Sequence, residues 1–151
     1  MRVASVIVAE QAGKGSTPPK QILVVDDDPV FAAVLEDVLA GDGHGVTTAS
    51  SGRRALELLA GRAFDLILLD VRMPEIDGAQ FFRELQQRDP DQARRVIVMT
   101  GGAVGAEAAE ILSAIGTPFL RKPLEIKDIQ GTVQRFFLAS DSFRAPRGRQ
   151  P

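Results

Sequence analysis

The chain has 151 residues, 44% of them hydrophobic and 25% charged, with a formal net charge of −2. That length suits one domain with tails, and the near-neutral charge gives no electrostatic argument for nucleic acid or an anionic membrane surface. The absence of cysteine excludes disulfides, thiolate metal sites and thiol catalysis.

Residues 1–20 read as an extension. Met1-Arg2 and the apolar run at 3–9 faintly resemble a signal peptide, but the run sits at the short limit for one. Residues 3–8 read instead as a short strand, and 11–20 as a polar, proline-containing linker. Gly13-Lys14-Gly15-Ser16-Thr17 invites a phosphate-loop reading that fails, because Gly15 follows the lysine and Val8 stands where the first glycine is needed. No segment approaches the roughly 20 apolar residues of a membrane span.

From residue 21 short β-rich runs alternate with helical patterns. The runs at 22–25, 64–69 and 96–99 are too short for buried helices and fit strands covered on both faces. Weaker strands are expected at 45–49 and 118–120. Helices are expected at 30–39, with an apolar stripe at 30, 31, 34, 35 and 38, and at 53–60, 79–87, 106–115 and 126–138. Leu56 with Leu59, and Phe81 and Phe82 with Leu85, form the apolar faces of the second and third. Gly41, Gly61 and Gly116 fall where left-handed C-caps are expected. Five β/α units over about 120 residues imply an α/β domain, a doubly wound, five-stranded parallel sheet with five helices.

Such sheets bind ligands at the carboxyl ends of their strands, so the residues after each run carry the functional argument. They are Asp26, Asp27 and Asp28, then Asp70, then Thr100 with Gly101 and Gly102, then Arg121, Lys122 and Pro123. Clustered oxygen ligands without His or Cys suit a hard cation such as magnesium. A lysine and a hydroxyl beside it suit a bound anion. Carboxylates crowded without a cation would repel one another. Asp28 differs from its neighbours: preceding Pro29, it fits a helix N-cap.

Four stretches in order, Ile22-Leu-Val-Val-Asp-Asp27, Asp65-Leu-Ile-Leu-Leu-Asp-Val-Arg-Met-Pro-Glu-Ile-Asp-Gly78, Val96-Ile-Val-Met-Thr-Gly101 and Phe119-Leu-Arg-Lys-Pro123, resemble the receiver domain of two-component response regulators, the CheY-like superfamily with a flavodoxin-like fold. The resemblance spans residues 21–139, leaving 140–151 as a flexible tail. It implies that Asp70 is the phosphoacceptor, that Asp26 and Asp27 hold Mg2+ with Asp27 the direct ligand, and that Asp70 and the main-chain carbonyl of Arg72 complete the metal set. It further implies that Lys122 contacts a phosphoryl oxygen, aimed by a cis bond before Pro123, and that Thr100 bonds another oxygen once phosphate arrives. Thr100 and Phe119 would form the switch, biasing a surface of the fourth helix, fifth strand and fifth helix. A buried Phe119 acting as plain core is the competing reading of that residue.

Asp77 is read as a helix cap, Met73, Pro74 and Gly78 as shaping the loop after Asp70, and Arg72 and Gly102 as influencing phosphate lifetime. His44, the sole histidine, is expected to be solvated and to take no part in phosphotransfer. The resemblance implies a cytoplasmic phosphoacceptor acting with a sensor histidine kinase or histidine phosphotransfer protein and a downstream protein target. No nucleic acid and no membrane contact are expected of this chain, and a homodimer is left open. The short tail offers no output domain, and residues 1–20 suit the end of a preceding domain, so the C-terminal receiver of a hybrid histidine kinase stands beside a single-domain regulator. A pseudo-receiver, an interaction module keeping the fold without phosphorylation, is the alternative. A dehalogenase-type phosphatase is excluded because Val71-Arg72 follows Asp70 where an Asp-x-Asp motif is required.

Overall fold

The computed structural model describes residues 19–71, 78–101 and 119–149. In chain order the elements are β1 (Gln21–Val25), α1 (Pro29–Gly41), β2 (Gly45–Ala49), α2 (Gly52–Gly61), β3 (Leu66–Asp70), α3 (Gly78–Arg88), α4 (Pro90–Ala93), β4 (Val96–Gly101), β5 (Phe119–Lys122) and α5 (Ile126–Arg149). The five strands form one sheet in the order β2-β1-β3-β4-β5, and every pairing is parallel. The helix expected at 106–115 and the strand expected at 3–8 lie outside the described residues, as do Arg72, Asp77, Gly102 and Gly116.

The apolar runs become strands because alternate residues are buried on opposite faces. Ile22, Val24, Leu66, Leu68, Ile97, Met99 and Leu120 pack under α1 and α5 with Leu35, Leu39, Ile129, Val133 and Phe137. Leu23, Val25, Ile67, Leu69, Val96 and Val98 pack under α2 and α3 with Ala55, Leu56, Phe81, Phe82 and Leu85. A period-two alternation with both parities apolar is what a doubly covered sheet requires.

Several boundaries move, each for a physical reason. Three strands run further than their apolar runs, because Asp70 pairs with Met99, Thr100 with Arg121 and Gly101 with Lys122 in unbroken ladders. The polar residues expected to follow the strands are therefore their last residues. At its other end β3 starts later than residue 64. The Phe64 amide donates to Gln92 Oε1 at 2.9 Å, and its carbonyl accepts from Gln92 Nε2 at 2.8 Å. A buried glutamine side chain thus replaces a neighbouring strand for one residue. It is supplied by α4, a single turn capped by Asp89 that sequence periodicity does not reveal.

On α1 the buried residues are Ala32, Leu35 and Leu39, whereas Val30 and Val34, placed on the apolar stripe, are exposed. Its C-cap also differs from expectation. Gly41 is the last helical residue, Asp42 the cap and Gly43 the left-handed residue at φ 97°. The Gly43 amide reaches the Ala40 carbonyl at 2.9 Å and the His44 amide reaches Leu39 at 3.2 Å, a Schellman closure. Gly61 likewise ends α2 from within, and an extended Arg62 is its cap. The backbone of α5 continues helical to Arg149, past both the 138 boundary and the start of the expected tail at 140. The periodicity marks where its packed face ends, at Phe137, and not where its backbone bonding ends.

His44 is half-buried instead of solvated. Its Nδ1 accepts from the Lys20 amide at 3.1 Å, and its ring lies 5.5 Å from that of Phe137. Burial holds the imidazole below its ordinary value, against the opposing pull of Asp42. The folded state thus favours the neutral ring, a contribution complete above the ordinary value of 6.5 and lost as pH falls through the lower folded value. Thermal melts taken from pH 7 down to pH 5 should show a stability loss that is smaller in His44→Gln, which keeps an acceptor and does not titrate. Gln92→Leu should lower stability by about 2–4 kcal/mol in urea unfolding, since it leaves a buried amide and carbonyl unpaired.

Candidate functional site

The sheet order places a switch between β1 and β3, where the chain leaves β1 into α1 on one face and leaves β3 toward α3 on the other. Asp26 follows β1 directly, with its amide donating to the Ala49 carbonyl at 3.0 Å. Its side chain is buried, 1% exposed. Oδ1 accepts from the Asp28 amide at 2.9 Å, and Oδ2 accepts from the Lys122 ammonium at 3.1 Å. Asp27 is the exposed member of the group.

Asp28 turns the chain into α1. Its Oδ1 accepts from the Val30 amide at 3.0 Å and the Phe31 amide at 3.3 Å, with Pro29 starting the helix. The three consecutive aspartates therefore divide as expected in one respect: Asp28 is a cap. Asp70 closes β3 and is also buried, 5% exposed. Its Oδ2 lies 3.4 Å from the same ammonium that Asp26 holds.

One carboxylate oxygen from each of Asp26, Asp27 and Asp70 lies within 4.8 Å of the others. An all-oxygen set of this size, with no imidazole or thiolate, fits a hard divalent cation. Lys122 ends β5 and reaches past the end of β4 to both buried carboxylates. The bond to Pro123 is cis, as the resemblance implied. Burial acts to lower the lysine, but the hydrogen bond to Asp26 and the charges of Asp70 and Asp26 outweigh it and hold the ammonium above its ordinary value.

The chain after Asp70 is fixed at a second point. The Gly78 amide donates to the Val71 carbonyl at 3.2 Å, and a Cβ on Gly78 would come within 2.5 Å of Val71 Cα. Glycine is needed here for close approach, and no left-handed φ is involved.

Thr100 is buried on β4, one residue past Met99, the register partner of Asp70. Phe119 is paired in register with Val98 and is 36% exposed, so the plain-core reading of that ring fails. The Arg121 guanidinium stands 5.8 Å from its centroid. Arg72, whose carbonyl was expected to join the acidic set, lies outside the described residues. The sequence reading missed Phe31, whose ring lies 4.3 Å from the Lys122 ammonium. As one apolar residue in a helical stripe it carries no signal that separates it from core.

The family described as response regulator receiver domain matches residues 22–134. The chain is 40% identical over 114 residues to the transcriptional regulatory protein ZraR of Escherichia coli O157:H7, covering 76% of this chain and 25% of that protein. It is 34% identical over 129 residues to the DNA-binding transcriptional regulator NtrC of Escherichia coli K12, covering 85% of this chain and 27% of that protein. The chain thus spans about a quarter of the length of these curated relatives. Among solved structures, the signal receiver domain of a signal transduction histidine kinase from Syntrophus aciditrophicus matches with a TM-score of 0.70 and 30% identity, covering 80% of this chain and 91% of that one.

Asp28 has a different job from its two neighbours, and stability should report it. Asp28→Ala should cost about 1 kcal/mol in denaturant unfolding through loss of the cap. Magnesium binding, followed by calorimetry on the same variant, should persist; its loss would make Asp28 a ligand instead.

Proposed function

Because this chain belongs to the response regulator receiver domain family, we propose that Asp70 accepts a phosphoryl group from a phosphohistidine of a sensor kinase or phosphotransfer protein. A carboxylate oxygen of Asp70 forms the new bond to phosphorus, the P–N bond breaks, and the imidazole leaves with its electron pair. The observation that carries this reading is one ammonium, Lys122, held 3.1 Å from Asp26 and 3.4 Å from Asp70 at the end of the sheet. Phosphoryl transfer needs mainly positioning and charge neutralisation, and these groups supply both.

Asp26 and Asp27 hold Mg2+ in this reading, together with Asp70 and the Arg72 carbonyl. When bound, the ion neutralises charge on the transferring group. Asp27 is the direct ligand, which its exposure supports, because both oxygens of Asp26 already accept protein hydrogen bonds. Lys122 takes one phosphoryl oxygen and the Thr100 hydroxyl another. Phe119 and Thr100 form the switch, and the exposure of Phe119 supports an outward starting position. The proposed domain division keeps residues 21–139 as the receiver.

The relatives bear on context. ZraR and NtrC are named as transcriptional regulators, which supports a response regulator whose phosphorylation state is passed to a DNA-binding output in a longer protein. The expectation that no nucleic acid is involved is thereby confined to the receiver itself. The 30% identical neighbour from a histidine kinase supports the hybrid-kinase context as a second reading. No helix among the described residues is long and apolar enough to cross a membrane, and a cytoplasmic site of action follows from the proposed partners. The pseudo-receiver alternative is disfavoured because two buried carboxylates around an ammonium are costly to keep without use.

Incubation with magnesium and acetyl phosphate, read on a phosphate-affinity gel, should label wild type and leave Asp70→Asn unlabelled. Asp27→Ala should abolish the magnesium-dependent labelling. Equal labelling of wild type and Asp70→Asn would overturn the assignment, and no labelling of either would favour the pseudo-receiver.

A further inference from the structure

Lys122 has a third neighbour besides its two carboxylates. Its ammonium stands 4.3 Å from the centroid of the Phe31 ring, closer than the 5.5 Å of Lys20 over Phe137 or the 5.8 Å of Arg121 over Phe119. Phe31 is half-buried against the core under α1 and α5. Its amide is one of the two that Asp28 caps, at 3.3 Å. The first turn of α1 thus fixes the backbone that carries the ring, and the same six residues that supply Asp26 supply the ring beside its lysine.

We propose that Phe31 is a positioning residue for phosphoryl transfer, holding the Lys122 ammonium by a cation–π contact so that it remains poised over Asp70. The inference rests on the phosphoacceptor reading of the site. A lysine head on a four-carbon stem is mobile unless something confines it. Asp26 and Asp70 confine it through directional hydrogen bonds that use two of its three N–H donors. The ring attracts the charge without consuming a donor, and it does so over a broad face. The ammonium can therefore shift toward an incoming phosphoryl oxygen while keeping the aromatic contact. A further carboxylate in the place of Phe31 would add to the repulsion among Asp26, Asp27 and Asp70. An aliphatic residue would fill the volume but offer the charge no attraction, leaving the two carboxylates alone to hold the ammonium.

Two measurements on the intact chain test this. The Lys122 ε-methylene signal in proton–carbon correlation spectra, assigned by its absence in Lys122→Met, should be shifted upfield by the ring current of Phe31 without any phosphodonor. That shift should vanish in Phe31→Leu and persist in Phe31→Tyr. With magnesium and acetyl phosphate, Phe31→Leu should be labelled about 3- to 10-fold more slowly at saturating donor, as expected for loss of one cation–π contact, and Phe31→Tyr should recover the wild-type rate. An unchanged Lys122 signal in Phe31→Leu would overturn the contact. Equal labelling rates in wild type and Phe31→Leu would overturn the positioning role. If wild type shows the ring-current shift but takes no phosphate, the phosphoacceptor reading has failed and not the Phe31–Lys122 geometry.

Discussion

A single ammonium set between two buried carboxylates is the interaction on which the site depends. Asp70 ends β3 and Asp26 directly follows the neighbouring β1, and both are removed from water. Like charges so placed are unfavourable unless a cation is close. Lys122 provides that cation from two strands away from Asp70 and three from Asp26, and its position is set by ladder pairing of β5 with β4 and of β4 with β3. The site is thus an outcome of sheet register. A slip of one residue in β5 would send Lys122 to the opposite face and leave the carboxylates without their partner.

Strand parity separates the site into two halves. Asp70 continues the parity of Leu66 and Leu68, and Lys122 that of Leu120, on the face covered by α1 and α5. Thr100 continues the parity of Val96 and Val98, and Phe119 is the register partner of Val98, so both belong to the other face. The charged groups and the proposed switch pair are therefore joined through the ends of β4 and β5.

Much of this was legible in the sequence, and the exceptions have physical causes. Continuous apolar runs at residues 22–25 and 96–99 read as covered strands because both faces are buried. Asp70, Thr100 and Lys122 were correctly placed at the carboxyl ends of strands, but the strands were read one or two residues short, since a polar side chain hides a ladder that continues through its backbone. Asp28 was legible as a cap because proline at the next position leaves few other uses for it. Gln92 and Phe31 were not legible. A glutamine that satisfies a distant backbone, and a ring whose partner is 91 residues away, leave no mark on local periodicity. The exposure of Val30 and Val34 was hidden for a related reason: an apolar residue next to a stripe looks the same whether or not the sheet reaches it.

The Lys122–Asp26 contact joins residues 96 positions apart, which has a consequence for how the chain is made. The acidic end of β1 emerges from the ribosome among the first parts of the domain, and its lysine among the last. Contacts of such separation form late, after much loop-closure entropy has been spent. Until β5 docks, Asp26 and Asp70 lack the Lys122 ammonium that the finished site sets between them. The charge arrangement of the site is in this way completed only when the last strand of the sheet is in place.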